Sequence, residues 1–303
     1  MRVTSSAYAV ETSIRDLQQR RDAMTTTQMQ ISTGRRVVKP GDDPVAAADA
    51  ERMRGQLSRI ELETRVLGFA RNNLGIADGA LSDASNLLQS ARETIVAAGN
   101  GSYSTRERSL LAEQIRQTRA QLLMVANRPD GTGGYVWGGQ GSNVPPFADG
   151  APPTYLPSPG EQRVGPGAGL STSLDGRAAF TGQAGTPPQN VFQVLDDAVA
   201  LLSDPAATPA ALAAGISAGL SGVDVGLNAL QAQRTQVGEQ LRAVDMREES
   251  LAAGKLSATG YLAELTEVDL AEALSTLSTQ QTALNAAMQT YAQVARMSLF
   301  QYL

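Results

Sequence analysis

Residues 266–303 read TEVDLAEALSTLSTQQTALNAAMQTYAQVARMSLFQYL, with neither proline nor glycine. Leu270, Leu274, Leu277, Leu284, Met288, Tyr291 and Ala295 step by four, three, seven, four, three and four. That is a heptad stripe with Gln281 at its one polar seam position. The spacing predicts a helix over this whole segment, with Thr266 and Asp269 capping its start. A helix with one narrow apolar stripe cannot bury that stripe alone, so it requires a partner.

The first thirty residues supply a matching pattern. Val3, Ala7, Val10, Ile14, Leu17, Arg21, Met24, Gln28 and Ile31 follow the same four–three step. One helix is expected from about residue 5 to 33, with Gly34 as its stop. In the connector that follows, Pro40 and Gly41 suit the centre of a type II turn. Asp42 and Asp43 precede Pro44, and Asp43 with Pro44 reads as an N-cap with proline at the first helical position. The acidic pair therefore needs no metal or acid–base role.

Working inward, residues 44–98 form a long predicted helix. Met53, Leu57, Ile60, Leu67, Leu74, Leu81, Leu88 and Ile95 mark its stripe, diluted by Thr64, Arg71, Asp78, Ser85 and Arg92. Asn100-Gly101-Ser102 reads as a turn rather than a glycosylation site, and Ser104 with Glu107 as a capping box for a third helix ending near 127. Between 128 and 188, glycine and proline supply 24 of 61 residues. No long helix survives that composition. Short strands are expected at 135–137, 162–164 and 178–180, giving a small β-rich insertion. Residues 131–141 (GTGGYVWGGQG) lack the Gly-Lys-Ser/Thr of a phosphate loop. Asn190 caps a short helix over 191–203, and Thr208-Pro209 opens a second long one running to about 264. Its register slips at Thr266, where a break is expected.

The fold class expected is mainly α: an elongated antiparallel bundle of long helices, with the N- and C-terminal helices paired and the glycine- and proline-rich insertion between. The divisions are 1–43, a terminal helix and connector; 44–127, the first part of the bundle; 128–188, the insertion; 189–265, the second part; and 266–303, the last helix. Residue i should then lie near 300 − i, which places Leu74 close to Leu227. Glycines 68, 75, 79, 215, 219, 222 and 226 sit beside the apolar stripes, where they would let helices approach closely.

The composition narrows the function. There is no cysteine and no histidine, which removes thiol nucleophiles, disulfides, Cys/His zinc sites and imidazole acid–base chemistry. The net charge is −5 with no basic patch, against a nucleic-acid role. No apolar run of signal-peptide or membrane-span length stands out, so no membrane partner is expected. No catalytic residue, metal or cofactor is implied.

Particular residues carry a resemblance. Ile31, Ser32, Gly34, Arg35, Arg36, Asp42, Asp43 and Pro44 resemble the N-terminal signature of the flagellin-like family, and residues 268–294 with the closing Ser-Leu-Phe-Gln-Tyr-Leu resemble its C-terminal one. Proline after the aspartate pair, together with Tyr135-Val136-Trp137-Gly138-Gly139 and Pro146-Phe147, is more similar to the hook–filament junction branch, hook-associated protein 3, than to filament flagellin. The resemblance implies a structural adaptor that forms a ring of identical subunits. Its implied neighbours are the other hook–filament junction protein on the hook side and flagellin on the filament side. It also implies an extracellular place in the flagellum, reached by flagellar type III export with a cytosolic chaperone and without a cleaved signal. The alternatives are filament flagellin itself and, from another class, a secreted coiled-coil effector. On the junction reading the assembly interface comprises Val3, Ala7, Val10, Ile14, Leu17, Met24 and Ile31 with the seven apolar stripe residues from Leu270 to Ala295. Pro40 to Pro44 serve as cap and connector.

Overall fold

The computed structural model describes the backbone of residues 2–141, 143–158, 160–164, 170–182 and 190–300; side chains are described there except at 2–7, 9, 10, 162–164, 170–172 and 294–300. The fold is mainly helical: α1 (Arg2–Thr33), α2 (Pro44–Ala98), α3 (Thr105–Ala126), α4 (Arg177–Phe180), α5 (Val191–Ser203), α6 (Pro209–Thr266) and α7 (Leu270–Phe300). The chain forms two compact units, Met1–Glu61 with Ala252–Leu303, and Leu62–Leu251.

In the larger unit, Leu67, Leu74, Leu81, Leu88 and Ile95 are all buried, and the alternate line between them is Ala70, Ala77, Ala84 and Ala91, also buried. The seam of α2 therefore steps through alanines, not through the polar set that diluted the stripe in the sequence. Three of that set instead form ion pairs with α6: Arg71 with Asp245 and with Glu248 (2.7 Å), Asp78 with Arg234 (2.8 Å) and Arg92 with Asp224 (2.8 Å). These pairs run antiparallel with residue sums of 312 to 319, so Leu74 lies opposite about 240 rather than beside Leu227. The connector from 34 to 43 holds ten residues and its counterpart from 267 to 269 three, which moves the register in that direction. Exposed pairs of this kind contribute little stability each, about 0–1 kcal/mol, but they fix alignment.

The helix α5 packs with α6 through glycine. A Cβ on Gly222 would stand 2.6 Å from Val194 Cγ2, and one on Gly226 2.8 Å from Val191 Cγ2. Gly68 and Gly75 meet nothing within 4 Å, so the close-approach reading fails on α2. By length and composition α6 is apolar enough to cross a membrane, with a window of mean hydropathy 1.5 that is 22% buried. This corrects the expectation that no stretch comes near that size. Alanine rather than leucine supplies much of that character in the first half of the helix.

Between α3 and α5 lie two antiparallel ladders: β1 (Phe147–Ala148) with β2 (Thr154–Tyr155), and β3 (Gln162–Val164) with β4 (Leu170–Ser173). Residues 178–180, expected as strand, belong to α4. The interior here is aromatic. Trp137, Phe147, Phe180 and Phe192 are buried, with Trp137 and Phe147 each 5.6 Å edge-on from Phe180. Gly176 has to be bare, since a Cβ would meet Phe147 and Trp137 at 2.9 Å. Arg119 of α3 locks this cluster to the helices by bonding Asp196 of α5 (2.9 Å), Asp149 (3.0 Å) and the Gly150 carbonyl.

Candidate assembly interface

In the smaller unit α1 packs against α7. The hinge between them is a clasp of backbone and side chain. Gly34 takes φ +68° and ends α1. The Arg36 N–H donates to the Thr266 carbonyl (2.8 Å) and the Val268 N–H to Gly34 (3.1 Å), pairing Arg35 with Glu267. Their sum of 302 matches the antiparallel register expected for the terminal helices. Arg36 also donates to Asp43 (3.1 Å) and to the Leu265 carbonyl (2.9 Å).

Two connector details differ from expectation. Gly41 does not take a positive φ, so Pro40-Gly41 is not a type II turn. The Asp42 N–H closes the turn onto Lys39 (3.0 Å), and the Asp42 carboxylate braces it by accepting from the Val38 and Lys39 N–H groups. A side chain thus does what a left-handed glycine would have done. Asp43 caps α2 by accepting from Ala46 (3.0 Å), with Pro44 first in the helix. The Ala46 bond, followed by that from Arg36, holds the Asp43 carboxyl below its ordinary pKa. At the other break Thr266 donates back to Leu262 and ends α6, while Asp269 alone caps α7 through Ala271 (2.9 Å) and Glu272 (3.2 Å). The predicted Thr266 cap is therefore Asp269.

The stripes of α1 and α7 split into two sides. On α7, Leu277, Leu284 and Tyr291 are half-buried, and the inner flank beside them is Ala273, 7% exposed, with Gln280 and Ala287. The outer flank of the same line holds Leu270, Leu274 and Met288, at 52%, 54% and 47% exposure. On α1, Leu17, Met24 and Ile31 are half-buried and Thr27 is buried, while Ile14 is 41% exposed. The structure thus brings Leu17, Met24, Ile31, Leu277, Leu284 and Tyr291 into the paired seam and leaves Ile14, Leu270, Leu274 and Met288 outside it. Thr27, Ala273, Gln280 and Ala287 complete the seam, and the sequence reading passed over them because small and polar residues carry little pattern signal. Tyr8 and Met29 add exposed apolar surface to α1. The side chains of Val3, Ala7, Val10 and Ala295 lie outside the described residues.

Comparison with known proteins gives this arrangement its setting. Residues 5–141 match the family model of the bacterial flagellin N-terminal helical region. The flagellar hook-associated protein 3 of Escherichia coli is 30% identical over 286 residues, covering 90% of each chain. The chain belongs to the flagellar hook-associated protein 3 family. The Salmonella typhimurium member is also 30% identical, over 289 residues and 90% of each chain. The crystal structure of flagellar hook-associated protein 3 from Legionella pneumophila superimposes with a TM-score of 0.61 at 16% identity, over 71% of this chain and 98% of that one, and so shares the fold. The protein is a structural component of the bacterial flagellum and not an enzyme.

Proposed function

We propose that this hook-associated protein is the adaptor between hook and filament, and that it works as a ring of identical subunits. The observation that carries the assembly reading is the outer flank of α7. Leu270, Leu274 and Met288 lie on the outer flank of the seam with α1, each about half exposed or more. With Leu277, Leu284 and Tyr291 taken up in the pair, Leu270, Leu274 and Met288 leave apolar surface on α7 for a neighbour. On this reading Val3, Ala7, Val10, Ile14 and Ala295, which share the four–three stripes, also belong to the assembly interface.

The ring contacts the other hook–filament junction protein on the hook side and flagellin on the filament side. Before assembly a cytosolic export chaperone covers the chain, which leaves the cell without a cleaved signal and ends extracellular. Residues 1–43 and 266–303 are the assembly helices with their connector. Residues 44–127 and 189–265 form the bundle, and 128–188 is a β-rich insertion displayed away from the ring axis. Deleting the gene in its own host and imaging the cells tests the reading. Hooks without filaments and flagellin shed into the medium are expected; normal filaments would overturn it.

A further inference from the structure

A groove of about 480 Å³ opens beside the clasp, between the connector and the first turns of α2. Val37, Val38, Pro40 and Ala47 form its apolar walls, and Arg35 and Lys39 stand on its rim. Neighbouring charges are already used. Arg36 bonds Asp43, Asp42 braces the turn, and Glu51 pairs with Arg54. Arg35 and Lys39 are exposed, and among the described residues neither has a carboxylate at ion-pair distance.

The same unit carries the opposite surface. From 256 to 295 the chain has four acidic residues and no basic one. Asp269 is spent on capping α7, whereas Glu264, Glu267 and Glu272 are exposed and form no ion pair among the described residues. Leu270 and Leu274 lie among them, each more than half exposed. Glu267 is joined to Arg35 through backbone, yet the two side chains are not ion-paired. The cations of the groove and the acids of the α7 start are thus both left without partners within one copy.

Resting on the assembly reading above, we propose that the groove receives the acidic, leucine-bearing start of α7 from a second copy. Leu270 and Leu274 seat against Val37, Val38 and Pro40, while Glu267 and Glu272 meet Arg35 and Lys39. Each copy offers its groove to one neighbour and its α7 start to another, so that any two copies share a single groove-to-helix contact and the contact is heterologous. Repeated from copy to copy, such a contact generates a closed ring or a helical turn. Apolar anchors inside a charged rim give both adhesion and register, with the charges setting partner choice.

Charge exchange in the host deletion strain tests this. Arg35→Glu with Lys39→Glu, and separately Glu267→Lys with Glu272→Lys, should each cut filament number about tenfold, and the four changes together should restore it. Circular dichroism of each purified variant reports folding. A second arm does not depend on charge. The chain has no native cysteine, so Pro40→Cys in one copy and Ala271→Cys in another, expressed together, should form a cross-copy disulfide on mild oxidation. Neither variant alone should give it. Normal filaments from both reversed pairs, without the mixed disulfide, would overturn the docking while leaving the adaptor reading intact. Failure of the wild-type gene to restore filaments would overturn the adaptor reading itself.

Discussion

Single residues show where the chain tolerates change. Gly222 and Gly75 both lie in long helices, and sequence pattern treats them alike. A methyl on Gly222 would press on both γ-carbons of Val194 and stand 3.3 Å from its Cβ, so a rotation of that stiff, branched side chain alone would not clear it. Gly222→Ala should therefore destabilise the larger unit by about 1–3 kcal/mol. Gly75→Ala meets open space and should stabilise it by up to about 1 kcal/mol. Thermal melts of the two variants check the opposite signs. Arg119 is a second sensitive point, since its removal strands the half-buried Asp196 and unlocks the insertion from α5. Arg119→Ala should cost about 2–4 kcal/mol, read as a lower denaturant midpoint. Acid acts on the same region. Burial raises the Asp175 carboxyl, but bonds from the Arg177 side chain and from the Arg177 and Gly160 N–H groups outweigh it and leave the pKa below its ordinary value. A depressed folded pKa contributes stability above the unfolded value, about 3.9, and loses it as pH falls through the folded one. Stability should thus decline below about pH 4, and less steeply in Asp175→Asn. An equal slope in the variant would show that Asp175 is not linked to folding.

Helices were the most legible elements, and their faces the least. The caps at Asp43, Ser104, Asn190 and Thr208 could be read directly because each is a local bond between a short polar side chain and a nearby N–H. Helix starts followed from them. Facing did not, because Leu277, Leu284 and Tyr291 have apolar neighbours on both sides, and periodicity cannot say which side meets α1. The alanine side does, since smaller residues let two helices approach more closely. The α2–α6 register also escaped, because it depends on ion pairs between positions some 130 to 180 apart in the chain. Residues 178–180 turned helical because Asp175 accepts from the Arg177 N–H and starts a turn there. On this account the outer flank is spare in a lone copy. Ile14→Ser with Met288→Ser should leave monomer stability within about 0.5 kcal/mol of wild type, yet reduce filament number in cells. A lower melting temperature with normal filaments would place that flank in the monomer core instead.

Across the whole molecule, burial is uneven in a way that fits assembly. The seam of α2 is a double row of nearly inaccessible leucine and alanine, whereas among the described residues of α1 and α7 only Thr27 and Ala273 are buried. Each ordered residue costs about 1–2 kcal/mol of backbone entropy, and burial returns about 25 cal/mol per Å². A two-helix pair with a half-exposed seam leaves that balance close to zero, because helical stability in proteins comes mostly from packing of an apolar face rather than from propensity. Neighbours covering Ile14, Leu270, Leu274 and Met288 would shift it towards order. The account's central claim is that the terminal helices are completed by other copies. Amide hydrogen exchange, compared between purified monomer and assembled flagella, tests it most directly. The account predicts fast exchange at Leu277 and Leu284 in the monomer, strong protection there in flagella, and strong protection at Leu74 and Leu81 in both. Protection of Leu277 and Leu284 in a verified monomer equal to that of Leu74 would contradict it.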